Sequence, residues 1–169
     1  MNPLRWSYRV SFFAGFVFSA GLVAFTLYAQ YKLGMDACPL CILQRFMMMV
    51  LAVLFLLGAL HAPSGAGRWV YISLVVVAAL TGGGISARHL WIQSLPPDQV
   101  PSCGVPLGYL LKTSDHQGGL IKVLIKVLSG SGQCARVQEI LGVPMPCWAL
   151  ICFILLASWS LHAGIRRVT

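Results

Sequence analysis

Charged side chains divide the chain into long apolar stretches. Residues 10–31, 46–67, 69–87 and 140–165 contain no Asp, Glu, Lys or Arg. Each can supply the roughly 20 apolar residues that a helix needs to cross a hydrocarbon core about 30 Å thick. The pattern predicts spans at about 10–30, 42–61, 69–88 and 147–164. The expected fold is a single membrane domain over residues 1–169, an all-α bundle of four transmembrane helices. The first span reads as an anchor, not a cleaved signal peptide. Its apolar run exceeds the roughly 7–15 residues of a signal h-region, and no clean A-x-A site follows.

Composition agrees. Apolar types make up 58% of the residues and charged types only 9%, against about 25% charged in a soluble domain. A soluble globule, a disordered tail and a nucleic-acid binder are all excluded. The net charge of +8 is a topology signal. Arg5, Arg9, Arg68, Arg166 and Arg167 flank one end of the four spans, whereas Asp36, Asp98, Asp115 and Glu139 all fall at the other. By the positive-inside rule, both termini and a short loop at about 62–68 face the cytoplasm. Loops at about 31–41 and 89–146 are then extracytoplasmic.

Residues 88–139 are too polar and too broken by Pro96, Pro97, Pro101 and Pro106 to be buried in lipid. Long loops of this kind tend to be functional. Within it, residues 120–128 repeat a Leu-Ile-Lys-Val unit and set Lys122 and Lys126 one helical turn apart. The expectation is a short amphipathic helix in the headgroup region, lysines outward. Gly118-Gly119 before it and Ser129-Gly-Ser-Gly132 after it read as hinges.

The cysteines carry the chemistry. Cys38 and Cys41 form a Cys-Pro-Leu-Cys motif where the second span opens; Cys103 and Cys134 lie in the long loop; Cys147 and Cys152 belong to the fourth span. The first four face the side on which disulfides persist. Haem attachment requires His after the second Cys, and residue 42 is Ile. A zinc ribbon requires two close cysteine pairs, and Cys103 with Cys134 is not one, so no metal is expected. Structural stapling would account for a closed long loop, but a Cys38–Cys41 bridge constrains little chain entropy. Such short C-x-x-C pairs are typically redox-active.

Local physics points the same way. Pro39 suits a first helical position, which sets the pair at a helix N-terminus whose partial positive charge favours thiolate. Arg45, four residues after Cys41, lies one turn deeper on the same face. A guanidinium at that depth is costly, and such residues are usually functional. It suits a thiolate or a reduced, negatively charged acceptor. His89 comes to a similar depth at the end of the third span, where it can hydrogen-bond or protonate an acceptor. Gly82-Gly83-Gly84 is expected to permit close helix packing.

Taken together, these residues resemble the DsbB family of bacterial inner-membrane disulfide bond formation proteins. The resemblance rests on the four spans, on Cys38-Pro-Leu-Cys41 followed by Ile42-Leu-Gln-Arg45, and on Cys103 in a Pro-rich loop. It rests also on Gly132-Gln-Cys134-Ala and Met145-Pro-Cys-Trp148. It implies a protein dithiol:quinone oxidoreductase that reoxidises a DsbA-like periplasmic thiol oxidase. Cys38, Cys41, Cys103 and Cys134 are then the catalytic cysteines, Cys103–Cys134 the disulfide that the partner attacks, and Cys41 the thiolate facing ubiquinone or menaquinone. Arg45 and His89 would hold the quinone. Cys147 and Cys152 are additional to that set, and the doubled lysine unit looks like a local insertion. The alternative is a disulfide-stapled membrane scaffold without turnover.

Overall fold

The computed structural model describes residues 7–32, 34, 38–96, 134–135, 139–140 and 142–165. Among them are four long helices, α1 (Tyr8–Lys32), α2 (Pro39–His61), α3 (Ala66–Gln93) and α4 (Met145–Ile165), and two short antiparallel strands. β1 (Glu139–Ile140) pairs with β2 (Val143–Pro144), Glu139 opposite Pro144 and Ile140 opposite Val143. All four helices are long and apolar enough to cross a membrane. Large apolar side chains such as Phe13, Phe25, Val53, Val77, Leu80 and Ile154 point outward. A water-soluble monomer does not expose that much apolar surface, so this is a multi-pass membrane protein.

α1 and α3 outrun the charge-free gaps that predict them, α2 begins before its gap and ends within it, and α4 lies inside its own. α2 starts at Pro39 because Cys38 caps it, its sulfur accepting from the Cys41 backbone N–H at 3.2 Å with Pro39 in the first turn. The cysteine pair thus opens a helix, the position that Pro39 predicts. α3 continues past residue 88 to Gln93, which puts His89 on a helix; charge ends a membrane span but need not end a helix. The hairpin before α4 has no counterpart in the apolar pattern, two residues per strand being too short for a period to register. At the opposite end of α2, Ala62 adopts a left-handed conformation (φ 40°) and donates to the Gly58 carbonyl at 3.0 Å. Pro63 then ends the helix.

α1 packs chiefly on α2 and α3 chiefly on α4, while α2–α3 and α1–α4 contacts close the bundle. Its core is built from Phe12, Leu51, Phe55, Ile72, Val75, Phe153 and Leu156. Phe12 meets Phe55 edge-on, with centroids 5.2 Å apart and planes at 63°, the arrangement that ring quadrupoles favour. The Phe153 ring lies against the bare Cα of Gly82, where a β-carbon would collide with it. The expected close packing is therefore realised at Gly82. Trp159 on α4 donates to the Ser11 carbonyl of α1 at 2.9 Å, tying the outer pair together.

Candidate functional site

The site lies at the bundle end where α2 begins and α3 finishes. A small second core holds it there: Cys38, Leu40, Ile85, Ile92 and Cys134 are buried together, with Cys41, Leu43, Met47 and Ala135 against them. Because Cys38 is the helix cap and Cys41 lies on the first turn, both sulfurs come to one side, 2.7 Å apart. That is inside non-bonded sulfur contact and longer than the about 2.05 Å of a disulfide. Cys38 is 6% exposed, and Cys41 is half-buried.

Two distant parts of the chain complete the cluster. His89 reaches across from α3 to set Nε2 3.7 Å from the Cys38 sulfur. The same Nε2 lies 3.2 Å from the Cys134 carbonyl oxygen. Cys134 itself is wholly buried, and its sulfur, the Cys38 sulfur and the His89 imidazole fall within 4.8 Å of one another. His89 is only 2% exposed, and its Nδ1 has no hydrogen-bond partner.

At Cys38 the helix N-terminus does not win. Hydrogen bonding with the Cys134 and Cys41 sulfurs, and then burial, push its thiol well above the ordinary value near 9. The expectation of a thiolate therefore does not extend to this cysteine. One N–H dipole is outweighed by two sulfur neighbours and lost hydration. Cys38 is accordingly the proton-bearing member of the pair and donates to Cys41.

Arg45 lies one turn further along α2, half-buried. Its Nη1 donates to Gln30 Oε1 at 2.6 Å and its Nη2 to the Thr26 carbonyl at 3.2 Å, both on α1. The guanidinium is thus fixed between α1 and α2 and does not snorkel freely, and its Nε is buried without a partner. Beside it, Gln44 donates to Ser86 Oγ at 2.9 Å, and Ser86 to the Gly82 carbonyl at 3.0 Å. Gln30 holds the Arg45 guanidinium, while Gln44 and Ser86 satisfy each other between α2 and α3; the cysteine-centred sequence reading missed all three. The available signal was polar side chains inside apolar spans, which are costly and seldom idle.

Of the residues singled out from sequence, Cys38, Cys41, Cys134 and His89 come together, with Arg45 a turn away. Cys103 and the lysine-bearing segment 120–128 lie outside the described residues. Cys147 is half-buried in the first turn of α4, and Cys152 packs against the main core as a small apolar side chain. Trp148 is 41% exposed, and Trp69 and Trp91 near the ends of α3 are exposed too. Chemically, the cluster offers three sulfurs between which a disulfide can migrate, and an imidazole able to carry a proton among them.

Residues 8–163 match the sequence model of a family described as Disulfide bond formation protein DsbB. A protein of Xanthomonas campestris pv. campestris (strain 8004), Disulfide bond formation protein B, is 47% identical over 169 residues, covering 99% of this chain and 96% of its own. A protein of the same name from Chromobacterium violaceum is 48% identical over 149 residues, covering 88% and 87%. One from Methylococcus capsulatus is 44% identical over 156 residues, covering 92% and 93%.

Proposed function

The chain belongs to the DsbB family of disulfide bond formation proteins, and from that premise we propose that it is a dithiol:quinone oxidoreductase serving a DsbA-like periplasmic thiol oxidase. The observation that carries this reading is the seating of Cys134 against Cys38 beside His89. A staple would keep the two cysteine pairs apart; an exchange enzyme must bring one sulfur of each together.

The steps follow from thiol–disulfide exchange. A thiolate of the reduced partner attacks Cys103 of the Cys103–Cys134 disulfide, and the partner's second thiol resolves the mixed disulfide. The partner leaves oxidised, and Cys103 and Cys134 hold two electrons. Cys134 then attacks Cys38 of the Cys38–Cys41 disulfide, forming a Cys134–Cys38 bond and expelling Cys41 as thiolate. Cys103 displaces Cys38 from Cys134, which restores the loop disulfide and leaves Cys38 and Cys41 reduced. His89, with Nε2 at 3.7 Å, is within reach of the proton that Cys38 takes up or gives away. Burial keeps water from intercepting these steps, and proximity makes each internal attack effectively unimolecular.

A quinone fits the polar groups left over. Arg45 Nε–H is buried without a partner and suits a carbonyl oxygen, and the buried, unpartnered His89 Nδ1 suits the hydroxyl of the reduced ring. Either ubiquinone or menaquinone would be held by Arg45 and His89. When bound, it supplies an acceptor for two electrons and two protons, which makes the oxidation of a strongly oxidising partner downhill. Arg45 favours negative charge beside Cys41, and Gln30 and Thr26 keep it aimed. The charge distribution supports both termini facing the cytoplasm and the cysteines the periplasm, and membership of the family supports the bacterial inner membrane.

The test is optical. Purified protein is mixed with reduced DsbA-type donor and with ubiquinone or menaquinone analogues, and quinone reduction is followed. Turnover that depends on both donor and Cys41 is the expected result. Undiminished turnover in Cys41→Ser, or no turnover with all outer cysteines locked in stable disulfides, overturns the reading; the second result leaves a scaffold.

A further inference from the structure

The sequence argues against a metal because the two loop cysteines are far apart. The fold supplies what the spacing lacks. Cys38, Cys134 and His89 are all buried, and one ligand atom from each lies within 4.8 Å of the others. The Cys41 sulfur is 2.7 Å from that of Cys38. Three sulfurs and an imidazole are the donor set of Cys3His zinc sites, and C-x-x-C is the usual spacing for two of the ligands.

The dimensions fit. With metal–sulfur and metal–nitrogen bonds of about 2.3 and 2.0 Å, a tetrahedral edge is about 3.5 Å from sulfur to nitrogen and about 3.8 Å between sulfurs. Nε2 of His89 is 3.7 Å from the Cys38 sulfur. The Cys38–Cys41 separation must widen by about 1 Å to reach such an edge, which a rotation of the half-buried Cys41 provides. Ligation requires a change of tautomer: Nε2, which faces the Cys134 carbonyl oxygen at 3.2 Å and carries the ring proton there, gives it up and the unpartnered Nδ1 takes it.

We infer that the fully reduced protein binds one thiophilic divalent ion of the zinc class through Cys38, Cys41, Cys134 and His89. The ion displaces to solvent whatever thiol protons the three cysteines carry, and no electron moves. Three thiolates leave the complex with one net negative charge, which the Arg45 guanidinium, one turn along α2, helps to offset. Site and turnover exclude each other: a Cys38–Cys41 disulfide removes two ligands, and one involving Cys134 removes another. The ion therefore captures only the reduced protein and holds apart the sulfurs that must exchange. This inference requires that the cysteines be reducible and is independent of any quinone.

The experiment uses the full chain in detergent, reduced with a phosphine, desalted and titrated with Co2+ as a spectroscopic probe, then with Zn2+. The expected result is one Co2+ per chain with tetrahedral ligand-field bands and thiolate-to-cobalt charge transfer, displaced by Zn2+. Diamide-oxidised protein shows neither. Cys134→Ser lowers the charge-transfer intensity by one thiolate's share, and His89→Ala or His89→Gln weakens binding at least tenfold. Cys152→Ala, outside the cluster, binds as the parent does. Equal Co2+ binding by reduced and oxidised protein, or unchanged spectra and affinity in both Cys134→Ser and His89→Gln, overturns the inference. Since the readout is cobalt absorption, failure here leaves the quinone reading intact, and failure of quinone turnover leaves this site intact.

Discussion

Nε2 of His89 lies 3.7 Å from the Cys38 sulfur, across the α2–α3 interface and 51 positions away in the chain. The contact joins the cap of one helix to the last turns of another. Its meaning comes from Cys134, whose carbonyl oxygen is 3.2 Å from the same nitrogen. One imidazole thus faces a sulfur of the C-x-x-C pair and the backbone of a loop cysteine. That makes His89 a candidate proton carrier for exchange between them.

His89→Phe is expected to slow internal exchange between Cys134 and Cys38 on the order of a hundredfold, the usual scale for losing an acid–base group. Single-turnover kinetics with reduced donor check this. The pH profile should lose the limb attributable to an imidazole, a change that a packing defect alone would not produce.

Cys134→Ser removes the sulfur that links the two cysteine pairs. Reduced donor, finding no loop disulfide to attack, should then stay reduced, as read by thiol alkylation on gels. Quinone reduction driven by the donor should cease. Steady turnover without Cys134 would sink the proposed route.

Gln30→Ala deletes the 2.6 Å hydrogen bond to Arg45 Nη1. A hydrogen bond to a charged group contributes about 1.5–3 kcal/mol, so quinone KM should rise roughly tenfold to a hundredfold. Reaction of donor with the loop disulfide should be unaffected. Arg45→Leu should show the same split more strongly.

Gly82→Ala forces a β-carbon against the Phe153 ring. Overpacking of a tight interface costs about 1–3 kcal/mol, expected as a lowered Tm in detergent. Adding Phe153→Leu should recover part of the loss, because the smaller side chain vacates the contact.

The raised pKa of Cys38 carries a sign that can be worked out. The fold favours the protonated thiol over its ordinary value near 9. The associated stability is present below about pH 9 and is lost as pH rises above it, toward the higher folded value. Reduced protein should therefore lose thermal stability between pH 8 and pH 10 (approximate bounds around that value). Cys38→Ser, lacking the titrating group, should lose less.

Much of this protein is legible in its sequence because membrane insertion is dictated by composition. A bilayer leaves backbone polar groups no water partners, so charge-free apolar runs of sufficient length become helices. The four helices follow from that, as does the placement of the C-x-x-C pair at a helix start, since Pro39 has no N–H to lose. The environment of each sulfur was not legible. Whether Cys38 is thiol or thiolate depends on neighbours from residues 89 and 134, which no local pattern specifies. Gln30, a single polar residue near the end of α1, has meaning only once α1 and α2 are packed.

What the sequence alone determined, then, was the set of spans and the kind of chemistry: apolar length decides insertion, and cysteine spacing decides redox character. The tertiary structure decided which groups meet. Side-chain contacts between α1 and α2, α2 and α3, and the segment bearing Cys134 depend on helix rotation and depth. Those are set by where Gly82 admits Phe153 and where Phe12 fits Phe55. Because short-range interactions act only over a few ångströms, the cluster of Cys38, Cys41, His89 and Cys134 exists only after that packing is complete.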